Sequence, residues 1–446
     1  MESAVKRLHI SSFLVCVCLI LAAASLSRAQ YIDVPLSLPT GEGPLPKVRD
    51  AYPQKSSLPP PVFTIPVAPL GFTLPGNNYL LRRQSLVSLD FLDEDRLLFT
   101  FHTFSGLRQR DIDDSAKDDE QHIRAVVVAL PNGKIESDAA WVVPDRLRYL
   151  WMIKDGHFLL RVHDGLDQGD SSLKTTPFLR FPGRLLWLEM DPKQQVMVTN
   201  NLEPAVASPE SGTPAPPAAS QPNASSDGRG PDAQSVLVAR TLKRESGEVM
   251  SVNRFPWTSQ TSNWPMNSEG YLERIHDTGR QWILKMNGYA GGDRVMAHID
   301  STCPPKYSFI ADAEFLVSTC VPDEGWRLTA MSTSGDALWK TRVATNAIWP
   351  LQVMAPDGLR FARETLLLKR TADRYKHLIG VKDLEGQVVR VHDAANGNVV
   401  FEAPLTPMLD AGGNVAISPS GLRVAILNGG AIQVYQLPPP APKPGH

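Results

Sequence analysis

After Arg82 the chain reads as short apolar runs separated by Asp-Gly, Asn-Gly and Pro-x-Gly. That is the pattern of β-strands joined by tight hairpin turns. No long amphipathic helical pattern interrupts it. The hairpins also repeat. Val415 to Ala425, turning at Pro419-Ser420-Gly421, matches Gln352 to Ala362, turning at Pro356-Asp357-Gly358. Looser copies run from Trp187 to Val198, Trp151 to Leu160 and Leu89 to Phe99, and two more centre on Asp277-Thr278-Gly279 and on Ala311 to Glu314.

Most of these seven hairpins are followed by a second one, with turns at Asn132-Gly133, Ser246-Gly247, Ser334-Gly335 and Asn396-Gly397. Two hairpins make a four-stranded antiparallel sheet. Residues 82–438, less one proline-rich insert, give about 47 residues per unit, which is the period of a propeller blade. The expected fold is therefore all-β: a seven-bladed β-propeller of four-stranded blades. Six or eight blades stay open, if the hairpins at Asp277 and Ala311 share a blade or the N-terminal stretch adds one. The last unit shows three strands, ending at Ala431 to Leu437. An unclosed ring exposes strand edges. A strand from before the first blade is therefore expected to close it, either Asn78-Tyr79-Leu80-Leu81 or Val62-Phe63-Thr64-Ile65.

Two segments lack the strand pattern. Residues 30–81 are rich in proline, as in Pro59-Pro60-Pro61, and read as an extended lead-in. Residues 204–234, rich in Pro, Ala and Ser, read as a disordered loop inside the propeller. Residues 439–446 form a C-terminal tail.

Residues 1–29 read as a signal peptide. Lys6 and Arg7 precede an apolar run from Ile10 to Leu26, and Ser27-Arg28-Ala29 supplies small residues before Gln30. The alternative is a retained membrane anchor, for which the run is short. No later segment is apolar enough to span a bilayer. The chain is expected in a bacterial periplasm or secreted, with no stable membrane insertion after cleavage.

Charge and composition exclude more than they assign. The formal net charge is -2 and 21% of residues are charged, so no basic excess points to nucleic acid. After signal cleavage two cysteines remain, Cys303 and Cys320. Each lies beside a strand of the Ala311–Glu314 hairpin, and their positions in that register are nearly opposite. A disulfide is expected in an oxidising compartment.

Val388-Val389-Arg390-Val391-His392-Asp393-Ala394-Ala395-Asn396-Gly397-Asn398-Val399-Val400 resembles the strand pair of YVTN-type, WD40-like propellers, and the Pro-x-Gly turns resemble that family's hairpin. The resemblance covers the chain after Arg82, best in its last three blades. It implies the fold and a binding platform rather than a particular ligand. Ser334-Gly335-Asp336-Ala337-Leu338-Trp339-Lys340 resembles the tryptophan-docking turn of quinoprotein propellers, which implies that Trp339 packs between blades.

Catalytic signatures are absent: no nucleophile elbow, no zinc-protease helix, no phosphate loop. His163-Asp164, His276-Asp277 and His392-Asp393 would form a site only if they met at one mouth of the ring; otherwise they are strand ends and turn starts. The acidic loop Asp111 to Glu120 lacks the glycine and glutamate of a calcium loop. Arg82-Arg83 and Arg108-Gln109-Arg110 read as a surface ion network with that loop. No residue is assigned to catalysis, a cofactor or a metal. The expected function is an exported, non-enzymatic platform for a protein, peptide or glycan. The alternative is a quinone- or metal-dependent enzyme that uses the channel.

Overall fold

The computed structural model describes residues 58–73, 86–103, 120–145, 147–204, 235–256, 264–321, 325–343, 346–369, 381–409 and 412–441. The expected signal peptide at 1–29, Asn78 to Leu81, the arginine pairs, the insert from residue 205 and almost all of the acidic loop lie outside them. The described residues belong to the larger of two compact units, 38–257 and 263–446; the smaller, 1–37 and 258–262, lies outside the described residues.

The first strand, β1 (Phe63–Pro66), belongs to the last blade. Blade one is β2 (Val87–Phe91), β3 (Arg96–His102), β4 (Gln121–Ala129) and β5 (Lys134–Val143). Blade two is β6 (Leu150–Ile153), β7 (His157–Val162), β8 (Gly165–Gly169) and β9 (Thr175–Arg180). Blade three is β10 (Arg184–Met190), β11 (Val196–Pro204), β12 (Ser235–Lys243) and β13 (Val249–Pro256). Blade four holds β14 (Gly270–His276), β15 (Gln281–Gly288) and β16 (Asp293–Asp300). Blade five is β17 (Lys306–Ala311), β18 (Glu314–Val321), β19 (Gly325–Ser332) and β20 (Ala337–Val343). Blade six is β21 (Ala347–Met354), β22 (Arg360–Leu368), β23 (Leu384–Asp393) and β24 (Val399–Leu405). Blade seven is β25 (Val415–Ile417), β26 (Arg423–Asn428) and β27 (Ala431–Gln436), with β1 on the outer edge of β27.

The protein is a seven-bladed β-propeller with all strand pairs antiparallel. The β1–β27 ladder runs from Phe63 opposite Val434 to Pro66 opposite Ala431. Strand position decides the residue pattern. A second strand lies between two strands of its own blade and between two neighbouring blades, so every residue of β22 is buried. An outermost strand has one free edge and a wetter face, so β20 is mostly exposed or half-buried along its length. Apolar clusters close the contacts between successive blades. They join blade seven to one, one to two and two to three, then four to five, five to six and six to seven. No described cluster joins three to four.

Blade four departs from the sequence reading. Its hairpin at Asp277–Gly279 is the second-to-third turn, not the first. Three observations place β14, β15 and β16 as strands two, three and four. The turn before β14, Asn267 to Gly270, is closed by Asn267 N–H to Gly270 C=O and by a bridge between Met266 and Tyr271. That turn bonds the first turn of blade five, Ser268 Oγ donating to Asp312 at 2.8 Å. The β15–β16 pair carries a bulge, as do the pairs of third and fourth strands in blades one, two, three, five and six. Among the described residues, the first-strand position of blade four is held by Trp264-Pro265-Met266, paired to β14 through the Met266–Tyr271 bridge. A proline at its centre hides it from pattern reading.

The bulged turns also dock each blade on the one before. A Cβ at Gly133, Gly247 or Gly397 would press on Ile65, Leu179 or Trp339, the outermost strands of blades seven, two and five. A Cβ at Gly335 would meet Met296 C=O on β16, which again makes β16 an outermost strand.

Candidate functional site

Where blade three meets blade four, the described residues form a polar and aromatic cleft instead of an apolar cluster. Blade three supplies one face of its sheet. The ladder Trp187–Asn200–Ala239–Asn253 crosses all four strands, and beside it runs Glu189–Val198–Thr241. These positions alternate with Leu188, Met197 and Leu242, which pack on blade two. Trp264 and Tyr271 of blade four complete the walls, around a cavity of about 20 Å³. That is room for one atom the size of a water oxygen.

Trp264 stacks on Tyr271 with ring centres 5.2 Å apart, and Phe255 meets Trp264 edge-on at 5.6 Å. Trp187 Nε1 donates to Glu189 Oε2 at 3.2 Å. Burial raises the Glu189 carboxyl above the usual carboxylate range, against the opposing field of Arg148 and the Trp187 bond. Asn200 is 8% exposed, and its Oδ1 finds no hydrogen-bond partner. Burial likewise raises the Tyr271 hydroxyl, reinforced by Glu273.

Asp90 lies on the innermost strand of blade one. Burial raises its carboxyl too, against its bond from Ser88 and the field of Arg148. Arg148 itself lies over the Trp151 ring at 5.3 Å. One guanidinium therefore serves two half-buried carboxyl groups, Asp90 and Glu189, and leaves the inner wall short of positive charge. A larger open depression of about 460 Å³ surrounds the Asp93–Arg96 turn. Two of its acidic groups are already engaged: Asp93 pairs with Arg96 at 2.6 Å, and Glu94 accepts from Ser420 N–H at 2.7 Å.

The three His-Asp dipeptides do not meet. His163-Asp164 and His276-Asp277 sit at second-to-third turns of blades two and four. His276 Nε2 bonds Gly279 C=O at 3.0 Å. His392-Asp393 ends the third strand of blade six, at the opposite ends of the strands, and is buried. His392 stacks on Phe361 at 4.8 Å and bonds Gly397 C=O through Nδ1. Trp339 packs between blades five and six, parallel to Phe361 and donating to Ala394 C=O at 2.7 Å. Cys303 and Cys320 are buried with Cα atoms 5.5 Å apart and sulfurs at bonding distance. They tie the entry to blade five to its second strand, with Ser301 Oγ donating to Cys303 C=O and accepting from Cys320 N–H.

Sequence reasoning passed over Trp187, Glu189, Asn200, Trp264 and Tyr271. One signal was present: Thr199-Asn200-Asn201 puts three polar residues in the middle of a second strand, where the interior of β3 has only Thr100 and that of β26 has none.

No family model matches the chain, and no curated protein does. Among solved structures, the chain is similar to the C-terminal WD40 domain of Sif2, at 10% identity over 80% of this chain and 97% of that one, TM-score 0.36. It is similar to Kuenenia stuttgartiensis hydrazine synthase at 10% identity, covering 86% and 98%, TM-score 0.38. It also resembles an acylaminoacyl peptidase in complex with Z-Gly-Gly-Phe-chloromethyl ketone at 8% identity, TM-score 0.44, spanning 82% of this chain and 53% of that one. The propeller assignment rests on the strand pairing described above, and these likenesses assign no activity to the chain.

Proposed function

We propose that the protein is an exported, non-enzymatic binding platform, and that a protein or peptide segment seats at the seam between blades three and four. The observation that carries this reading is the seam itself. Every other pair of neighbouring blades is sealed by an apolar cluster, whereas the described residues of this one present three aromatic rings, a half-buried carboxyl and an unpaired amide oxygen. Aromatic anchors with a few convergent polar groups are the composition of binding hot spots. The sequence supports export to the periplasm or outside the cell through the signal peptide at 1–29. The buried cysteine pair suits an oxidising compartment.

A photo-crosslinking residue placed at Asn253, on the exposed mouth of the seam, tests this in intact cells. The same residue at exposed Val399 of blade six serves as the comparison. A reproducible adduct from Asn253 alone is expected. No adduct, or the same adducts from both sites, would show that the seam is not the binding end.

A further inference from the structure

We propose that the cleft between blades three and four recognises a primary ammonium group, carried by a lysine side chain or by a chain amino terminus. This deepens the binding-platform reading and rests on it.

Size comes first. A cavity of about 20 Å³ admits a head of one non-hydrogen atom. A compact head fits that space better than a planar guanidinium, a quaternary ammonium or a sugar ring.

Chemistry comes next. The floor presents acceptors. Asn200 Oδ1 is buried and unpaired. Glu189 receives one side-chain donor, Trp187 Nε1. The Trp187 N–H is thereby already engaged. An anion would meet the Glu189 carboxylate, and a neutral hydroxyl would bring one donor to a site with several acceptor positions. An ammonium brings three donors and no acceptor. Its charge restores the partner that burial takes from Glu189, because Arg148 is shared with Asp90. The walls agree. Trp187, Trp264 and Tyr271 surround the cavity, and aromatic faces attract a cation most strongly where water is excluded. The alkyl stem of a lysine would leave along the Ala239 and Asn253 end of the cleft, towards the rim of the blade.

The chain contains nine tryptophans, and two of them line the cavity, so fluorine NMR of the full chain labelled with 5-fluorotryptophan reports on it directly. Trp187→Phe and Trp264→Phe assign the two resonances. Titration with n-butylammonium is expected to move both, saturably, while the other resonances stay in place. Glu189→Gln is expected to weaken that binding at least about tenfold, since charge-assisted bonds are the strong ones. Unmoved resonances elsewhere in that variant show that it still folds. Equal shifts from 1-butanol or tetramethylammonium would overturn the proposal, as would silence from n-butylammonium. Nα-acetyl-lysine amide and alanine amide then separate the sources: the first binding marks a side chain, the second an amino terminus, and failure of both sinks the idea. If seam cross-linking persists while n-butylammonium moves nothing, the ammonium is wrong and the platform stands. If both fail, the platform reading falls as well.

Discussion

Glu364 is the buried carboxyl whose titration should shape the stability of this ring. It lies on β22, 1% exposed, between blade six and the loop that enters blade seven. Its close surroundings are Gln387, whose Nε2 donates to Oε2 at 3.4 Å, and Gly412. Oε1 has no partner. Burial lifts its pKa from 4.5 to about 8. A raised acid favours the protonated folded form. Its contribution is therefore complete below the unfolded value and is lost as pH climbs towards the folded one. Over that interval the loss is on the order of 4–5 kcal/mol, at about 1.4 kcal/mol per unit. That is a large share of the roughly 5–15 kcal/mol typical of a folded domain.

His392 works in the opposite direction. Burial lowers it from 6.5 to about 4, so its contribution is complete above the unfolded value and is lost as pH falls. Between about pH 4.5 and 6.5 the slopes of these two groups cancel. Above that the Glu364 slope stands without the His392 one until about pH 8. Arg363, lowered by burial to about 10, acts only at higher pH. Glu364→Gln keeps the shape and removes the proton. Urea unfolding followed by tryptophan emission, with both proteins measured from pH 5 to 8.5, checks this. The variant should gain about 2 kcal/mol relative to wild type between pH 6.5 and 8, the part of the shift that falls in that window. Parallel curves for the two proteins across that window would refute the reasoning.

Three further outcomes are expected. Cys303→Ser or Cys320→Ser should lower stability by about 2–4 kcal/mol, the usual contribution of such a cross-link; an unchanged melting temperature, with free thiol already titratable in the wild type, would count against the bond. Gly397→Val places a Cβ about 2.5 Å from the Trp339 ring at a φ of +74°, so thermal unfolding should drop by several degrees, roughly 1–3 kcal/mol, while Gly386→Ala, with open space around it, should not. At Asp145, burial alone would raise the carboxyl, but Arg161 and Arg184 hold it low. Asp145→Ala strands the fully buried Arg161 and should cost about 3–5 kcal/mol in denaturant titration.

The propeller was legible because its signals are local. Each hairpin carries its own turn residues, and the repeat of those turns counts the blades. The architecture of blade four was not legible for the same reason. Asp277-Thr278-Gly279 looks like any other tight turn, and nothing local says that it is second in its blade. Only the contacts of Asn267 to Gly270 with blade five, and the bulge in β15–β16, fix its place. The His-Asp dipeptides show the converse. Their likeness is local, but the ends of the strands they occupy are set by the order of strands, and that order separates them.

The seam lies further still from what sequence displays. Trp187, Asn200, Ala239 and Asn253 are neighbours because four strands align in register, while in the chain they are separated by turns and by the insert from residue 205. On each strand such a residue is a single polar or aromatic position of the kind any outward face carries. The cleft arises from two coincidences of register. Blade three turns this face towards blade four, and blade four answers with Trp264 and Tyr271 instead of aliphatic side chains. Replacing Asn200, Trp264 and Tyr271 together by aliphatic residues would give this seam an apolar layer like those elsewhere in the ring and remove the site. The described polar and aromatic residues of the seam are therefore what both its lack of an apolar cluster and its candidate binding function depend on.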